Sequence, residues 1–81
     1  MEIINIARGH IVLRDGSKST TIYGEALLRG YKSPDFILYS NSIERWDMPD
    51  ESEKICEEKK KEMIDFIKEE FARRSMTVEI E

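Results

Sequence analysis

Short runs of alternating apolar and polar residues occupy the first half of the chain and predict strands. Residues 10–15 alternate, with Ile11 and Leu13 on one side of the predicted strand. The Asp15-Gly16 pair that ends this run favours a tight hairpin, because glycine accepts the positive φ that such turns need. Further strands are predicted over residues 2–7, 19–23, 36–40 and 76–81, and residues 43–47 are compatible with one more.

The second half of the chain has the periodicity of one long amphipathic helix. Cys56, Ile67 and Phe71 share one face of a helix that we predict over residues 52–74. Asp50 is predicted to cap this helix, since an acidic residue follows three positions later as in a capping box. A lone helix is stabilised mainly by packing on a sheet, so we expect Ile67 and Phe71 to be buried.

The order of these elements predicts an α+β fold. We expect an antiparallel sheet of about four to six strands, one long C-terminal helix packed on one face, and a last strand after the helix. Eighty-one residues suit a single domain over residues 1–81. Residues 26–29 are compatible with a strand extension or a helical turn, and residues 30–35 are typical of a loop.

Charge and composition narrow the class of partner. The chain has 17 acidic and 13 basic residues and a net charge of −4. This balance disfavours binding to a phosphate backbone, which needs clustered Lys and Arg, and permits a basic protein partner. The same charge would also serve simply to keep a small domain soluble. Neither a membrane-spanning apolar run nor a secretory signal pattern is visible, so we predict a cytoplasmic protein without membrane contact.

Residue types that carry catalysis or bind metals are scarce. His10 is the only histidine and Cys56 the only cysteine, and their predicted elements do not suggest a dyad. Structural zinc needs four such ligands, and the acids Asp47, Asp50 and Glu51 lack the spacing of a calcium loop. We therefore predict no enzymatic activity, no cofactor and no metal site. Cys56 is expected to be a buried, inert residue on the apolar helix face.

Residues 39–51, referred to below as the 39–51 segment, have the composition of a binding surface. The segment holds the only tryptophan of the chain together with four acids. Trp and Tyr are enriched at binding hot spots, and acids around an aromatic ring suit a basic partner. Burial of Trp46 beneath the helix is the competing interpretation. The predicted partner-binding residues are Tyr39, Glu44, Trp46, Asp47, Asp50 and Glu51.

Several short motifs follow one another in a characteristic order. They are Gly16 in the first hairpin turn, Gly24-Glu25, Phe36-Ile37-Leu38-Tyr39, Asn41-Ser42-Ile43, Trp46-Asp47 with Pro49, and a closing acidic helix. In this order the chain resembles the immunity protein 74 family, small bacterial proteins assigned to polymorphic toxin systems, over roughly residues 2–70. The resemblance implies a cytoplasmic protein that binds and inhibits a cognate protein toxin. The resemblance does not identify the residues that contact the toxin.

The leading interpretation is therefore a toxin-neutralising immunity protein whose partner is a toxin domain, basic in the simplest case. One alternative is a general protein-interaction or regulatory module. Another is a small nucleic-acid-binding domain that uses the basic residues 59–61 and 73–74, although acidic residues surround them. The sequence leaves open the activity of the toxin and whether the chain forms a homo-oligomer.

Overall fold

The computed structural model describes residues 1–28 and 33–81, which form a five-stranded sheet with one long helix. The strands are β1 (Glu2–Ile6), β2 (His10–Asp15), β3 (Lys18–Ala26), β4 (Phe36–Leu38) and β5 (Val78–Ile80). A 3₁₀ turn (Ser40–Ser42) and the helix α1 (Glu57–Arg73) lie between β4 and β5. The predicted α+β architecture, with a strand after the helix, is confirmed.

The first three strands form an antiparallel meander in which chain neighbours are also sheet neighbours. Gly16 has a φ of +65° in the β2–β3 turn, as the Asp15-Gly16 pair predicts. β1 carries an irregularity between Ile3 and Asn5, which shifts its register against β2. β3 continues past Gly24 to Ala26, because these last residues pair with β4.

The pairing of β5 differs from the predicted antiparallel sheet. β5 lies beside β4 in parallel, with Phe36 opposite Val78 and Leu38 opposite Ile80. Parallel neighbours need a long crossover connection, and α1 provides one between these two strands. The sheet is therefore mixed, and its only parallel pair among the described strands is the one that the helix connects.

One face of the sheet and one face of α1 form the core. Alternate residues of β2, β3 and β4 are buried, as the strand periodicity predicts. On the helix Met63, Ile67 and Phe71 are fully buried, which confirms the predicted burial of the last two. The rings of Phe36 and Phe71 meet edge to face with centroids 6.0 Å apart, so an aromatic pair joins β4 to the helix.

The predicted start of the helix is wrong by one to two turns. α1 begins at Glu57, its N-cap residue is Cys56, and Cys56 is exposed rather than buried on the apolar face. Asp50 does not cap the helix, because it lies in a turn in which the Glu53 amide donates to the Asp50 carbonyl at 2.9 Å. The acids after Pro49 thus belong to a turn instead of a capping box.

The reason lies in a short pairing that competes with helix formation. The Ile55 amide donates to the Glu44 carbonyl at 2.8 Å, and an isolated bridge joins Arg45 to Lys54. This doubling back buries Ile55 in the core, where it is 8% exposed. A helix through these residues would lose both the pairing and this burial. The compatible strand over residues 43–47 is reduced to the single bridge at Arg45.

The region after β3 is only partly described. Ala26 belongs to β3, and residues 33 and 34 have no regular structure, in line with the predicted loop. The rest of the predicted extension and loop, residues 29–32, lies outside the described residues. Along the described part of the chain, no helix is long and apolar enough to cross a membrane.

Candidate functional site

The 39–51 segment lies along the edge of β3 that β4 leaves free. The Tyr39 amide donates to the Tyr23 carbonyl at 2.9 Å, and the Asp47 amide donates to the Ser19 carbonyl at 2.7 Å. β4 pairs only with residues 24–26 of β3, and the segment provides hydrogen-bond partners for the backbone groups of Ser19 and Tyr23 on the same edge. The segment thus covers part of this sheet edge, and these bonds hold it against the sheet.

Trp46 lies in the core and not on the surface. Its side chain is 8% exposed and belongs to the same cluster as the helix residues. The Lys18 ammonium lies 5.7 Å from the centroid of its ring and also pairs with Glu53, which raises the pKa of Lys18. Trp46, predicted as a binding residue, is therefore a core residue, as the competing interpretation expects, and it anchors the segment to the sheet.

Asp47 has a structural partner. The Thr21 hydroxyl donates to Asp47 Oδ2 at 2.9 Å, and the Asp50 amide donates to the Asp47 carbonyl at 2.9 Å. Asp47 is half-buried by these contacts. Its carboxylate thus joins the segment to β3 and its carbonyl joins the turn that follows, so a substitution of Asp47 would alter the segment as well as its charge.

The remaining acids of the segment are more accessible. Glu44 and Glu51 are exposed, and Asp50 is partly exposed. Glu44 lines a shallow depression of about 480 Å³, where Arg45, Lys54 and Lys60 provide opposite charges. Glu44 therefore lies among basic residues, whereas Asp47 and Asp50 share the turn that follows Trp46.

Tyr39 lies on the face of the sheet opposite the helix, together with a residue that the sequence interpretation missed. Its hydroxyl donates to Glu25 Oε2 at 3.4 Å. Desolvation and the carboxylates of Glu25 and Glu81 raise the pKa of the Tyr39 hydroxyl. Strand periodicity could have identified Glu25, because it lies one position away from the inward-facing Gly24 on β3.

This second face of the sheet is open. No helix of the described chain covers it, and Tyr23 exposes 56% of its surface there. Glu25 and Glu79 are exposed, and Ile37 is half-buried. Sequence reasoning missed all four as candidate residues. For Tyr23 and Ile37 the reason is that a partly exposed aromatic or apolar residue in a strand has the same sequence signature as a core residue.

The structure separates the two residues that could form a nucleophilic dyad. His10 lies opposite Tyr23 on β2, on the open side of the sheet. Cys56 lines a shallow depression beside Trp46 and Lys59, on the side of the helix N-terminus. Within residues 1–28 and 33–81, no group of three or more His, Cys, Asp or Glu side chains has the arrangement of a metal site.

Comparison with known proteins identifies the family. The family model described as Immunity protein 74 matches residues 3–81. No curated protein and no solved structure matches the chain. The match extends through α1 and β5, beyond the motifs that carry the resemblance in the sequence. Since it covers nearly all of the described fold, the chain belongs to the immunity protein 74 family.

Proposed function

We propose that this protein binds a cognate toxin domain in the bacterial cytoplasm and neutralises it, as part of a polymorphic toxin system and without enzymatic activity of its own. The observation that carries this proposal is the family match over residues 3–81. An acidic chain is suited to a basic partner, because complementary fields accelerate encounter and disfavour wrong partners.

We propose that the 39–51 segment forms part of the binding surface. Tyr39, Glu44, Asp50 and Glu51 are at least partly accessible to a partner. Trp46 and Asp47 support them from within, through the core contact and the Thr21 hydrogen bond described above. The pairing of the segment with β3 reduces the conformational entropy that binding would otherwise cost.

Neutralisation is tested by co-expression with the toxin domain encoded by the neighbouring gene. Cells that produce the toxin alone should stop growing, and cells that also produce this protein should grow. The purified proteins should form a complex of fixed stoichiometry, and the complex should lack the activity of the free toxin. Growth arrest despite abundant folded protein would contradict the proposal.

The same assay separates neutralisation from general protein interaction. A regulatory module would bind partners without restoring growth, whereas an immunity protein restores growth only against its cognate toxin. An unrelated toxin provides the control for this specificity. Direct inhibition by the purified protein excludes an effect on toxin expression.

A further inference from the structure

The open side of the sheet carries an apolar residue between two carboxylates. Ile37 on β4 lies opposite Glu25 on β3 and opposite Glu79 on β5. Ile37 faces away from the helix, because Phe36 and Leu38 on either side of it are buried. Glu25 and Glu79 face the same way, because residues opposite each other in a sheet share a face. The Cα atoms of the two acids are about 10 Å apart, twice the usual strand spacing.

Two aromatic side chains border this row. Tyr23 is exposed two positions before Glu25 on the same strand, and Tyr39 contacts Glu25 through its hydroxyl. We refer to these five residues, Tyr23, Glu25, Ile37, Tyr39 and Glu79, as the open acidic face. Apolar, aromatic and anionic groups are thus combined on one surface that the described fold does not cover.

Among residues 1–28 and 33–81, no Lys or Arg forms an ion pair with Glu25 or Glu79. The outward positions of β3, β4 and β5 include no Lys or Arg. On the neighbouring strand β2, the outward-facing Arg14 pairs with Glu2. Desolvation raises the pKa of the Tyr39 hydroxyl, and the negative charges of Glu25 and Glu81 raise it further.

We propose that the open acidic face is a docking surface for a basic, arginine- or lysine-rich segment of a protein partner. The methylene stem of such a side chain would cover Ile37, while its charged head reaches the carboxylates of Glu25 or Glu79. The tyrosine rings add a surface on which a guanidinium group stacks. Each feature of the face thereby has a matching part in one arginine side chain.

The charge of the face selects this occupant over two others. A second copy of the chain in symmetric contact would bring Glu25 and Glu79 against acids of the same kind, and such like-charge contacts are unfavourable. Nucleic acid would bring phosphates against the same acids. A basic protein segment satisfies both the carboxylates and the apolar surface.

This inference depends on the proposed function for the identity of the partner, but its first test does not need the toxin. A capped Arg-Ala-Arg peptide is titrated into the ¹⁵N-labelled full chain, and amide shifts are followed by NMR. Saturable shifts should concentrate at residues 23–25, 37–39 and 79. A Glu-Ala-Glu peptide should leave these amides unchanged.

Neutral variants test the role of the two carboxylates. The double variant Glu25→Gln and Glu79→Gln should weaken peptide binding at least about fivefold, because charge-assisted contacts become neutral ones. The control is Asp65→Asn with Glu69→Asn, which removes the same charge from exposed positions of α1. Equal weakening in both pairs would overturn the proposal, as would shifts centred on residues 44–54 or shifts that depend on the concentration of the chain alone.

A second test uses the toxin and keeps the two proposals distinguishable. If the wild-type chain restores growth and the Glu25→Gln, Glu79→Gln variant does so with unchanged affinity for the toxin, the docking surface is wrong and the immunity function stands. If the wild-type chain fails to restore growth, the immunity function is wrong, and the peptide titration still decides on the docking surface. A selective loss of toxin affinity in this variant supports both.

Discussion

Gly24 is the residue at which the sheet tolerates no side chain. A Cβ atom there would overlap the Ile37 carbonyl oxygen and the ring of Phe36. Because the first obstacle is backbone, a rotamer change cannot remove it. We therefore expect Gly24→Ala to lower the free energy of unfolding by about 1–3 kcal/mol, the usual cost of overpacking. Urea denaturation would measure this loss.

Gly9 provides the matched control for this substitution. A Cβ at Gly9 would meet no atom within 4 Å. Gly9→Ala should therefore be neutral or stabilising by up to about 1 kcal/mol, since it restricts the unfolded chain. Equal losses for both variants would show that the contact with Phe36 and Ile37 is not the cause.

Cys56 occupies the N-cap position of α1, where a residue with a capping side chain would be more favourable. It has the extended backbone of an N-cap residue, with φ −73° and ψ 161°, but its side chain makes no capping hydrogen bond. We expect Cys56→Ser to stabilise the protein by about 0.5–1 kcal/mol, because a serine hydroxyl accepts from the first free helix amides. Thermal unfolding should show the gain, and Cys56→Ala should not.

The exposure of Cys56 gives a separate prediction. A disulfide reagent should modify one thiol per native chain without prior unfolding, because the side chain is accessible. The modification is followed by the released chromophore. Reaction only after addition of denaturant would place the thiol back in the core.

At the scale of elements, the aromatic pair between β4 and α1 is the main contact to test. Phe71 is fully buried and packs against Phe36. Phe71→Ala should cost about 3–5 kcal/mol, because it leaves a cavity between helix and sheet. Phe66 lies on the margin of the core, so Phe66→Ala should cost less than half as much. Similar losses would mean that the helix is rotated about its axis.

An ion pair joins the β2–β3 turn to the helix and depends on pH. Lys59 Nζ lies 2.8 Å from Asp15 Oδ2, and this hydrogen bond lowers the pKa of Asp15 below its usual 3.8. A carboxyl group whose pKa is lower in the folded than in the unfolded protein stabilises the fold at pH values above its unfolded-state pKa. This stabilisation is lost as the pH falls through the folded-state pKa. The stability difference between wild type and Asp15→Asn should therefore shrink below about pH 4. Unfolding curves at pH 6 and pH 3 would measure it.

The sequence predicted those elements in which the buried residues recur with the period of a strand or a helix. Alternation located β2 and its buried residues, and the helical stripe located Ile67 and Phe71, because burial of one face selects the same period in sequence and structure. The start of α1 was misplaced because the pairing of Ile55 with Glu44 joins residues 11 positions apart, which no local propensity records.

The candidate site was less predictable than the fold. Composition identified the 39–51 segment, but whether its tryptophan faces a partner or the core depends on tertiary packing. Tyr39 and Glu25 meet because β3 and β4 pair in one particular register. Residues on the open side of a strand become candidates only when the other side is known to be covered.

At the scale of the whole molecule, charge should govern association with a basic toxin. Raising the salt concentration from about 0.05 to 0.5 M shortens the Debye length to below about 5 Å. The association rate should then fall severalfold, while the dissociation rate changes less. Stopped-flow or surface-based kinetics would separate the two rates. An association rate independent of salt would exclude electrostatic steering.

Charge reversal should show which part of the surface attracts the toxin electrostatically. Asp50→Lys with Glu51→Lys should weaken binding to the toxin well beyond Asp65→Lys with Glu69→Lys, which changes the net charge equally at exposed helix positions. Asp47 is left intact, because loss of its hydrogen bond with Thr21 would change the stability of the protein as well as its affinity for the toxin. Equal effects of both pairs would mean that only net charge matters.

The parallel pairing of β4 with β5 has a kinetic consequence. Asp35 and Thr77, which precede these strands and bond to each other, are 42 residues apart, whereas the β2–β3 hairpin closes through a tight turn. Contacts of long sequence separation form late, since loop closure costs entropy before they are made. We expect destabilising substitutions in the hairpin to slow folding and those in β5 to speed unfolding, a contrast visible in the two limbs of a chevron plot.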